Sequence, residues 1–348
     1  MDEQNYQSID NYSVFNTTIT PGNFTLQAAE DCFDGRAART AKITACIAVL
    51  VVTILLNTLV IYPVYKYKRM RKNINYFIIN MAVSDILLAS LTNTLIAEQM
   101  ISGTWNWKIE GLPGRMTCRM VNFMCTMLLL VSPLTLFFMT LERYRGVTSM
   151  TRVNGMSYST RSICLSMCWI IPSILYAVEL FRVDLHKHQG KSYCVPTDGN
   201  NPHYFNYLVA LFTTYVFLYI SVFLIGFQTL RKLSKSEGSV NVSEARQRKR
   251  RSQKIRSAVR MIQWSLCAFV LLSTPYHMFV FFDKLYPQKT SCKKRINLMY
   301  LFRYLISLNS ALSPCIYFIF IKDFRRFFRG VSRPLGRSFF LIELHPPT

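Results

Sequence analysis

Acidic side chains are scarce in this chain of 348 residues, which has 18 Asp and Glu against 41 Lys and Arg and a formal net charge of +23. The sequence has only 13 glycines and five histidines, with no phosphate-cradling glycine loop and no constellation of catalytic side chains. We therefore expect neither an enzyme nor a cofactor. Basic chains often bind nucleic acid, but 51% of this chain is hydrophobic, which argues against that class.

The sequence also lacks a visible cleavable signal peptide, because residues 1–40 are polar and acidic, without a basic segment followed by an apolar one. What the chain has instead is a series of long apolar stretches, each near the roughly 20 residues that a helix needs to cross a membrane. There are seven, at about 42–65, 75–100, 116–144, 161–181, 204–230, 258–282 and 297–321. Since an open sheet cannot satisfy its backbone in lipid, we predict an all-α membrane protein with seven transmembrane helices.

The distribution of basic residues predicts the orientation of the bundle. Of the 41 Lys and Arg residues, 26 lie in the segments 65–75, 142–161, 231–260 and 322–348. Because basic connections favour the cytoplasmic side, we expect a multi-pass plasma-membrane protein with its N-terminus outside. Three glycosylation sequons in the N-terminal tail, at Asn11, Asn16 and Asn23, agree with this orientation.

Three regions follow from these patterns. Residues 1–41 are predicted to form an extracellular glycosylated tail, and residues 42–321 the bundle. Residues 322–348 begin with alternating aromatic and basic side chains, which is typical of an interfacial helix, and end in a short cytoplasmic tail. No cysteine follows this helix, so a palmitoyl anchor is not expected there.

Four of the ten cysteines fall on the predicted extracellular side, which suggests two disulfide bonds. Cys118 opens the third span, and Cys194 lies in the connection after the fourth. Cys32 precedes the first span and Cys292 precedes the seventh, and these two spans are neighbours in a closed ring of helices.

Polar groups inside the predicted spans are costly in lipid, so each is a candidate for function. Asn57 lies in the middle of the first span and Asp85 in the middle of the second. The sequence Glu142-Arg143-Tyr144 closes the third span, and Ser313-Pro314-Cys315-Ile316-Tyr317 lies near the end of the seventh.

In this order and spacing, the motifs resemble those of the rhodopsin-like class of G-protein-coupled receptors over nearly the whole chain. Cys118 and Arg143 stand 25 residues apart, as in the family. The remaining matches are Asn57, Val60, Asn80, Asp85, Trp169, Pro172, Pro275, Pro314 and Tyr317. The resemblance implies a seven-helix receptor that signals to heterotrimeric G proteins, with arrestin as a further partner.

The resemblance also implies roles for particular residues. Arg143 would pair with Glu142 at rest and turn toward a cytoplasmic partner when active. A sodium ion would be held at Asp85 by oxygen-bearing neighbours, and the alternative is a protonated Asp85 that shares hydrogen bonds. The predicted polar core comprises Asn57, Asp85, Ser132, Asn309 and Ser313. The predicted activation residues are Glu142, Arg143, Tyr144, Phe269, Pro275, Pro314 and Tyr317.

Several positions depart from the family pattern. The sixth span reads Leu272-Ser273-Thr274-Pro275, so the aromatic toggle before the proline is missing. Ser313 stands where asparagine is usual, and Phe227 is a candidate for the position of the fifth-span tyrosine. A receptor-like protein that does not couple to G proteins is therefore an alternative.

The sequence also bears on the ligand. The site where amine receptors carry a carboxylate is Cys125, and residues 297–321 contain no lysine for retinal, so amine and light receptors are disfavoured. The segment from Phe181 to Val195 resembles the hairpin of peptide receptors, which favours a peptide, with a small non-amine ligand as the alternative. Arg303 is predicted either to pair with Glu98 or to anchor a ligand carboxylate. The predicted pocket comprises Glu98, Gln99, Asn122, Cys125, Tyr276, His277 and Arg303.

The basic third cytoplasmic loop, Leu233 to Ile255, is predicted to contact G protein and anionic membrane lipids. A transporter is disfavoured because no inverted repeat is seen.

Overall fold

The computed structural model describes residues 33–148, 156–188, 190–197, 202–235, 242–285 and 291–331. These residues form a bundle of long helices joined by short connections. The helices are α1 Arg36–Lys66, α2 Asn73–Ser102, α3 Gly111–Thr148, α4 Tyr158–Tyr176, α5 Pro202–Lys235, α6 Val242–Leu285, α7 Cys292–Phe320 and α8 Lys322–Val331. Helices α1 to α7 correspond one to one to the seven predicted spans.

Six of the described helices, α1 to α6, are long and apolar enough to cross a membrane by their composition. The seventh, α7, carries more polar side chains along its length, among them Arg303, Asn309 and Ser310. Asn309 and Ser310 are buried against other helices and therefore do not face lipid, which explains how a helix of lower hydropathy can span the bilayer.

Most helices extend beyond the predicted apolar spans. Helix α1 begins at Arg36 rather than 42, and α6 begins at Val242 rather than 258. The predicted loop from Leu233 to Ile255 is therefore largely helical, with only 236–241 outside the described residues. Hydropathy detects only the apolar part of such a helix, whereas Arg, Lys, Gln, Glu and Ala continue it readily into water.

Local signals set some of the helix ends. Helix α2 ends at Gly103, which adopts φ 62°, a left-handed conformation that costs glycine no side-chain clash. Helix α4 begins after Ser157, whose hydroxyl accepts a hydrogen bond from the Thr160 backbone N–H at 3.2 Å.

A β-hairpin joins α4 to α5, after a single helical turn at Glu179–Arg182. Strand β1, Val183–His188, pairs antiparallel with β2, Lys191–Pro196. Gly190 makes the turn with φ 76°. The prediction of a hairpin from Phe181 to Val195 is thus confirmed, and we call this side of the bundle the hairpin end.

Helix α3 lies at the centre of the bundle. In its most apolar stretch, 67% of the residues are buried, whereas only 17% are buried in the corresponding stretch of α5. Helices α1 and α7 pack together, which closes the ring. Large apolar side chains remain on the outside, as lipid contact requires, including Leu55, Ile174 and Phe217.

Helix α8 follows α7 at the opposite end, which we call the α8 end. Its Phe324 is fully buried and Phe327 nearly so, against the ends of α1 and α7. Lys72 forms an ion pair with Asp323. One apolar face with basic residues opposite agrees with the predicted interfacial helix.

Candidate functional site

Covalent and ionic contacts fasten the hairpin to α3, at one side of the mouth of the bundle. Cys118 at the start of α3 forms a disulfide with Cys194 of β2, as predicted. Asp184 of β1 lies 2.9 Å from Arg115 Nε and 3.1 Å from Arg119 Nη2, both on α3. The hairpin is therefore held to α3 from both of its strands.

Burial opposes ionisation of Asp184, but the Leu185 backbone N–H and the two guanidinium groups outweigh it and hold the pKa of the carboxyl below its usual value. Asp184 consequently carries its charge throughout the physiological range, and its attraction to α3 persists there.

A second polar cluster fastens the chain ahead of α1 to the hairpin end of α7. Lys42 Nζ donates to Asp34 Oδ2 at 2.6 Å and also to the Asn297 amide oxygen. The ammonium of Lys42 lowers the pKa of Asp34. Cys32 lies just outside the described residues, so its disulfide with Cys292 stays a prediction, as do the sequons Asn11, Asn16 and Asn23.

Beneath the hairpin, α3, α6 and α7 bring three predicted pocket residues together. Arg303 lies eleven residues into α7, or about 16 Å from its start. Its guanidinium lies near Cys125 of α3 and Tyr276 of α6. Among the described residues, Arg303 is half-buried and has no ion-pair partner.

The interpretation that Arg303 pairs with Glu98 is wrong. Glu98 Oε1 lies 3.2 Å from Lys108 Nζ, in a separate crevice between α1 and α2. The sequence could not reveal this, because the face of α2 that carries Glu98 depends on how the helix is rotated in the bundle.

The other pocket candidates occupy several levels. Asn122 is close to the hairpin: its Nδ2 donates to the Cys118 carbonyl at 2.9 Å and contacts the Cys194 sulfur at 3.3 Å.

The His277 ring centroid lies 4.4 Å from that of Tyr215. His277 Nε2 is buried and has no hydrogen-bond partner in the described part of the chain. Gln99 is half-buried near the end of α2.

The predicted polar core is buried at mid-bundle. Ser310 donates to Asp85 Oδ1 at 3.1 Å, and the Ser310 carbonyl accepts from Asn57 Nδ2 at 3.1 Å. Within the described residues, Asp85 Oδ2 and Asn57 Oδ1 have no hydrogen-bond partner. The other predicted members make different bonds: Ser132 to Ser84 at 3.1 Å, and Ser313 to the Asn309 carbonyl at 3.0 Å.

At the α8 end, Arg143 Nε lies 2.5 Å from Glu142 Oε2, the arrangement expected of a resting receptor. Tyr144 accepts a hydrogen bond from Lys232 of α5 at 2.7 Å. Arg251 of α6 donates to the Gly146 carbonyl of α3 at 3.1 Å. Polar contacts thus join α3 to both α5 and α6 at this end.

The remaining predicted activation residues lie within α6 and α7. Phe269 of α6 is buried, and its ring packs edge-to-face with that of Tyr219, with the two ring centroids 6.0 Å apart. Tyr317 is fully buried, and its hydroxyl contacts the Met81 sulfur at 3.6 Å. Pro275 lies inside α6 and Pro314 inside α7, each removing one backbone donor.

Several contacts were not anticipated from the sequence. Phe227 is 47% exposed on the outside of α5, so it does not face the bundle; Tyr219 does. The hydroxyls of Tyr176 and Tyr215 lie 3.0 Å apart and join α4 to α5 below the hairpin.

Comparison with known proteins agrees with this geometry. Residues 56–317 match the family of seven-transmembrane receptors of the rhodopsin type. The chain is 26% identical over 287 residues to a tachykinin-like peptides receptor, 86C, of Drosophila melanogaster, covering 79% of this chain and 55% of the relative.

A second relative is a neuromedin-K receptor of Cavia porcellus, which is 23% identical over 82% of this chain and 63% of its own length. A third is a human substance-K receptor, which is 22% identical over 83% of this chain and 72% of its own length. The chain thus spans less than two thirds of the length of the first two. Because the family match extends over most of the chain, from the first span to the seventh, this protein belongs to the rhodopsin family of seven-transmembrane receptors.

Proposed function

We propose that this protein is a receptor for a peptide and that it passes the signal to heterotrimeric G proteins. The observation that supports this most directly is Arg303, a half-buried cation in the bundle with no ion-pair partner among the described residues. An unpaired charge at this depth is costly, so a ligand carboxylate would compensate it.

The hairpin end suits a peptide. The disulfide and the Asp184 contacts hold the hairpin to α3, at one side of the mouth. Lys294 is exposed at the start of α7, where its charge would attract an acidic peptide, whereas the neighbouring Lys293 lies 3.5 Å from the Asp34 carboxylate. By their names, one relative is a receptor for tachykinin-like peptides and another is a receptor for neuromedin-K.

The proposed orientation places the hairpin end outside the cell and the α8 end in the cytoplasm, in the plasma membrane. The basic extensions of α5 and α6 support this, since positive charge favours the cytoplasmic side. In this orientation Arg143 faces the G protein, and the same surface is available to arrestin and to anionic lipids.

A sodium ion fits the polar core. Asp85 Oδ2 and Asn57 Oδ1 are buried acceptors without partners in the described residues, and Ser310 already contacts Asp85. These oxygens, which are ligands that hard cations prefer, would hold the ion. When bound, it would neutralise the buried carboxylate.

The function is tested by screening secreted peptides on cells that express the full chain. The readout is GTPγS binding to membranes of these cells, which measures G-protein activation. Each active peptide is then compared with its C-terminal or side-chain amide analogues on the wild type and on Arg303→Gln. We expect one carboxylate to be critical, with a 10- to 100-fold loss of potency on Arg303→Gln, as for a lost charge-assisted hydrogen bond.

The matched control is Arg36→Gln, which removes an exposed charge at the start of α1, at the same end, and should change potency less than threefold. Full potency of the acid on a well-expressed Arg303→Gln receptor would remove Arg303 from the site. Ligand binding without any GTPγS incorporation would favour a non-coupling receptor, and activation by small non-peptide molecules alone would favour that ligand class.

A further inference from the structure

A crevice of about 280 Å³ lies between α1 and α2 near the hairpin end, separate from the cluster around Arg303. Ile47 and Leu50 line it from α1, and Ala97 and Ile101 from α2. Ile47 is 52% exposed and Ile101 66% exposed, so the walls continue into the apolar outside of the bundle. Its occupant would therefore enter from the membrane.

The crevice contains a buried acceptor that lacks a donor. Asn93 lines it and is only 2% exposed. Its Nδ2 donates to the Ala89 carbonyl at 2.8 Å, but its Oδ1 has no hydrogen-bond partner among the described residues. A buried carbonyl without a partner is destabilising, so a ligand that donates a hydrogen bond would gain from reaching it.

The charged groups of the crevice compensate each other. Glu98, five residues or about 7.5 Å along α2 from Asn93, forms its ion pair with Lys108 at 3.2 Å, although Glu98 Oε1 accepts no hydrogen bond within the described residues. Because the pair has no net charge, it gives little attraction to an anionic or a cationic lipid headgroup. The chemistry that remains is an uncharged donor, such as a hydroxyl.

We propose that this crevice binds a membrane sterol, whose single hydroxyl donates to Asn93 Oδ1 while its rings lie against Ile47 and Leu50. The small side chains of Thr94 and Ala97 leave room for a flat ring system. Phosphatidylcholine cannot take this place through its headgroup, because that headgroup has no N–H or O–H donor.

The test uses the full-length receptor in phosphatidylcholine nanodiscs that contain a photoreactive, alkyne-tagged sterol, with the labelled peptides identified by mass spectrometry. Asn93→Leu removes the acceptor at similar volume, and Ala97→Phe fills the crevice. Ala48→Phe, on the exposed face of α1 outside the crevice, is the matched control. Folding of each variant is checked by monodispersity and melting temperature.

We expect labelling of the α1 segment around Ile47–Leu50 in the wild type, competed by unlabelled sterol. Labelling should fall about fivefold in Asn93→Leu, the change expected for one lost hydrogen bond, and at least as far in Ala97→Phe, with Ala48→Phe unchanged. If Asn93→Leu does not fold, Ala97→Phe decides alone.

Labelling spread evenly over the outside of the bundle, or equal in all folded variants, would overturn the proposal. So would a tagged phosphatidylethanolamine or sphingomyelin that labels this segment when the sterol does not. Neither result depends on the peptide or on G-protein coupling, so the sterol site can fail while the proposed function stands.

Discussion

Asn80 joins three helices at mid-bundle, and its replacement by leucine tests whether interhelical hydrogen bonds hold the bundle together. Trp169 Nε1 of α4 donates to Asn80 Oδ1 at 2.8 Å, and Asn80 Nδ2 donates to Thr135 Oγ1 of α3 at 2.9 Å. Asn80→Leu keeps the volume but breaks both bonds. Thr135 retains its bond to the Val131 carbonyl, so the main loss falls on the indole N–H.

Interhelical hydrogen bonds in membrane proteins contribute on average about 0.6 kcal/mol each and at most about 1.7 kcal/mol. Losing two should therefore cost about 1–3 kcal/mol, a decrease in melting temperature of roughly 3–8 °C for a domain of this size. The assay is thermal unfolding of detergent-purified receptor, followed by the fluorescence of a thiol-reactive dye. A double mutant with Trp169→Phe should be less destabilised than the sum of the single variants.

Ser173→Ala is the matched control, because among the described residues the Ser173 hydroxyl bonds only within α4, to the Trp169 carbonyl at 2.7 Å. It should change the melting temperature by less than 2 °C. A melting temperature for Asn80→Leu within 1 °C of the wild type, or strict additivity with Trp169→Phe, would refute the estimate and show that packing alone holds these helices.

Three further predictions concern other contacts. The pKa of Asp184 is lowered in the folded protein, so the stabilising effect of its charge is complete at neutral pH and is lost as the pH falls through that pKa. Melting curves of wild type and Asp184→Asn should therefore differ at pH 7 and converge below about pH 4. A difference in melting temperature that is unchanged at pH 3 would contradict this. Lys232→Ala removes the bond to Tyr144 and should raise basal GTPγS incorporation about twofold at equal surface expression, whereas unchanged basal activity would show that this bond does not restrain α5. Asp85→Asn should keep surface expression but abolish any inhibition of ligand binding by sodium, and persistence of that inhibition would place the ion elsewhere.

The sequence predicts those features of the site that follow from local patterns, but not those that depend on contacts between distant segments. The seven spans, the hairpin and the bond between Cys118 and Cys194 follow from hydropathy, turn residues and cysteine spacing together with the family motifs. The sequence leaves open whether Glu98 pairs with Arg303, and it does not reveal the actual partner, Lys108, because Lys108 lies in a connection whose path has no periodic signal. Hydropathy does not predict the extension of α6 back to Val242, because that extension is polar and hydropathy reports transfer into lipid rather than helix formation.

The sequence by itself determined that this protein is a helical bundle in a membrane: apolar stretches of this length have no other way to satisfy their backbone in lipid. It also determined which polar groups lie in those stretches, among them Asp85 and Arg303. Only the tertiary structure decided which of them have partners. Rotation of each helix about its axis turns a side chain toward a neighbour, a cavity or lipid, and that rotation is set by packing between segments far apart in the chain. For this reason only the folded molecule shows that, among the residues it describes, Arg303 has no ion-pair partner and the Asn93 side-chain carbonyl accepts no hydrogen bond.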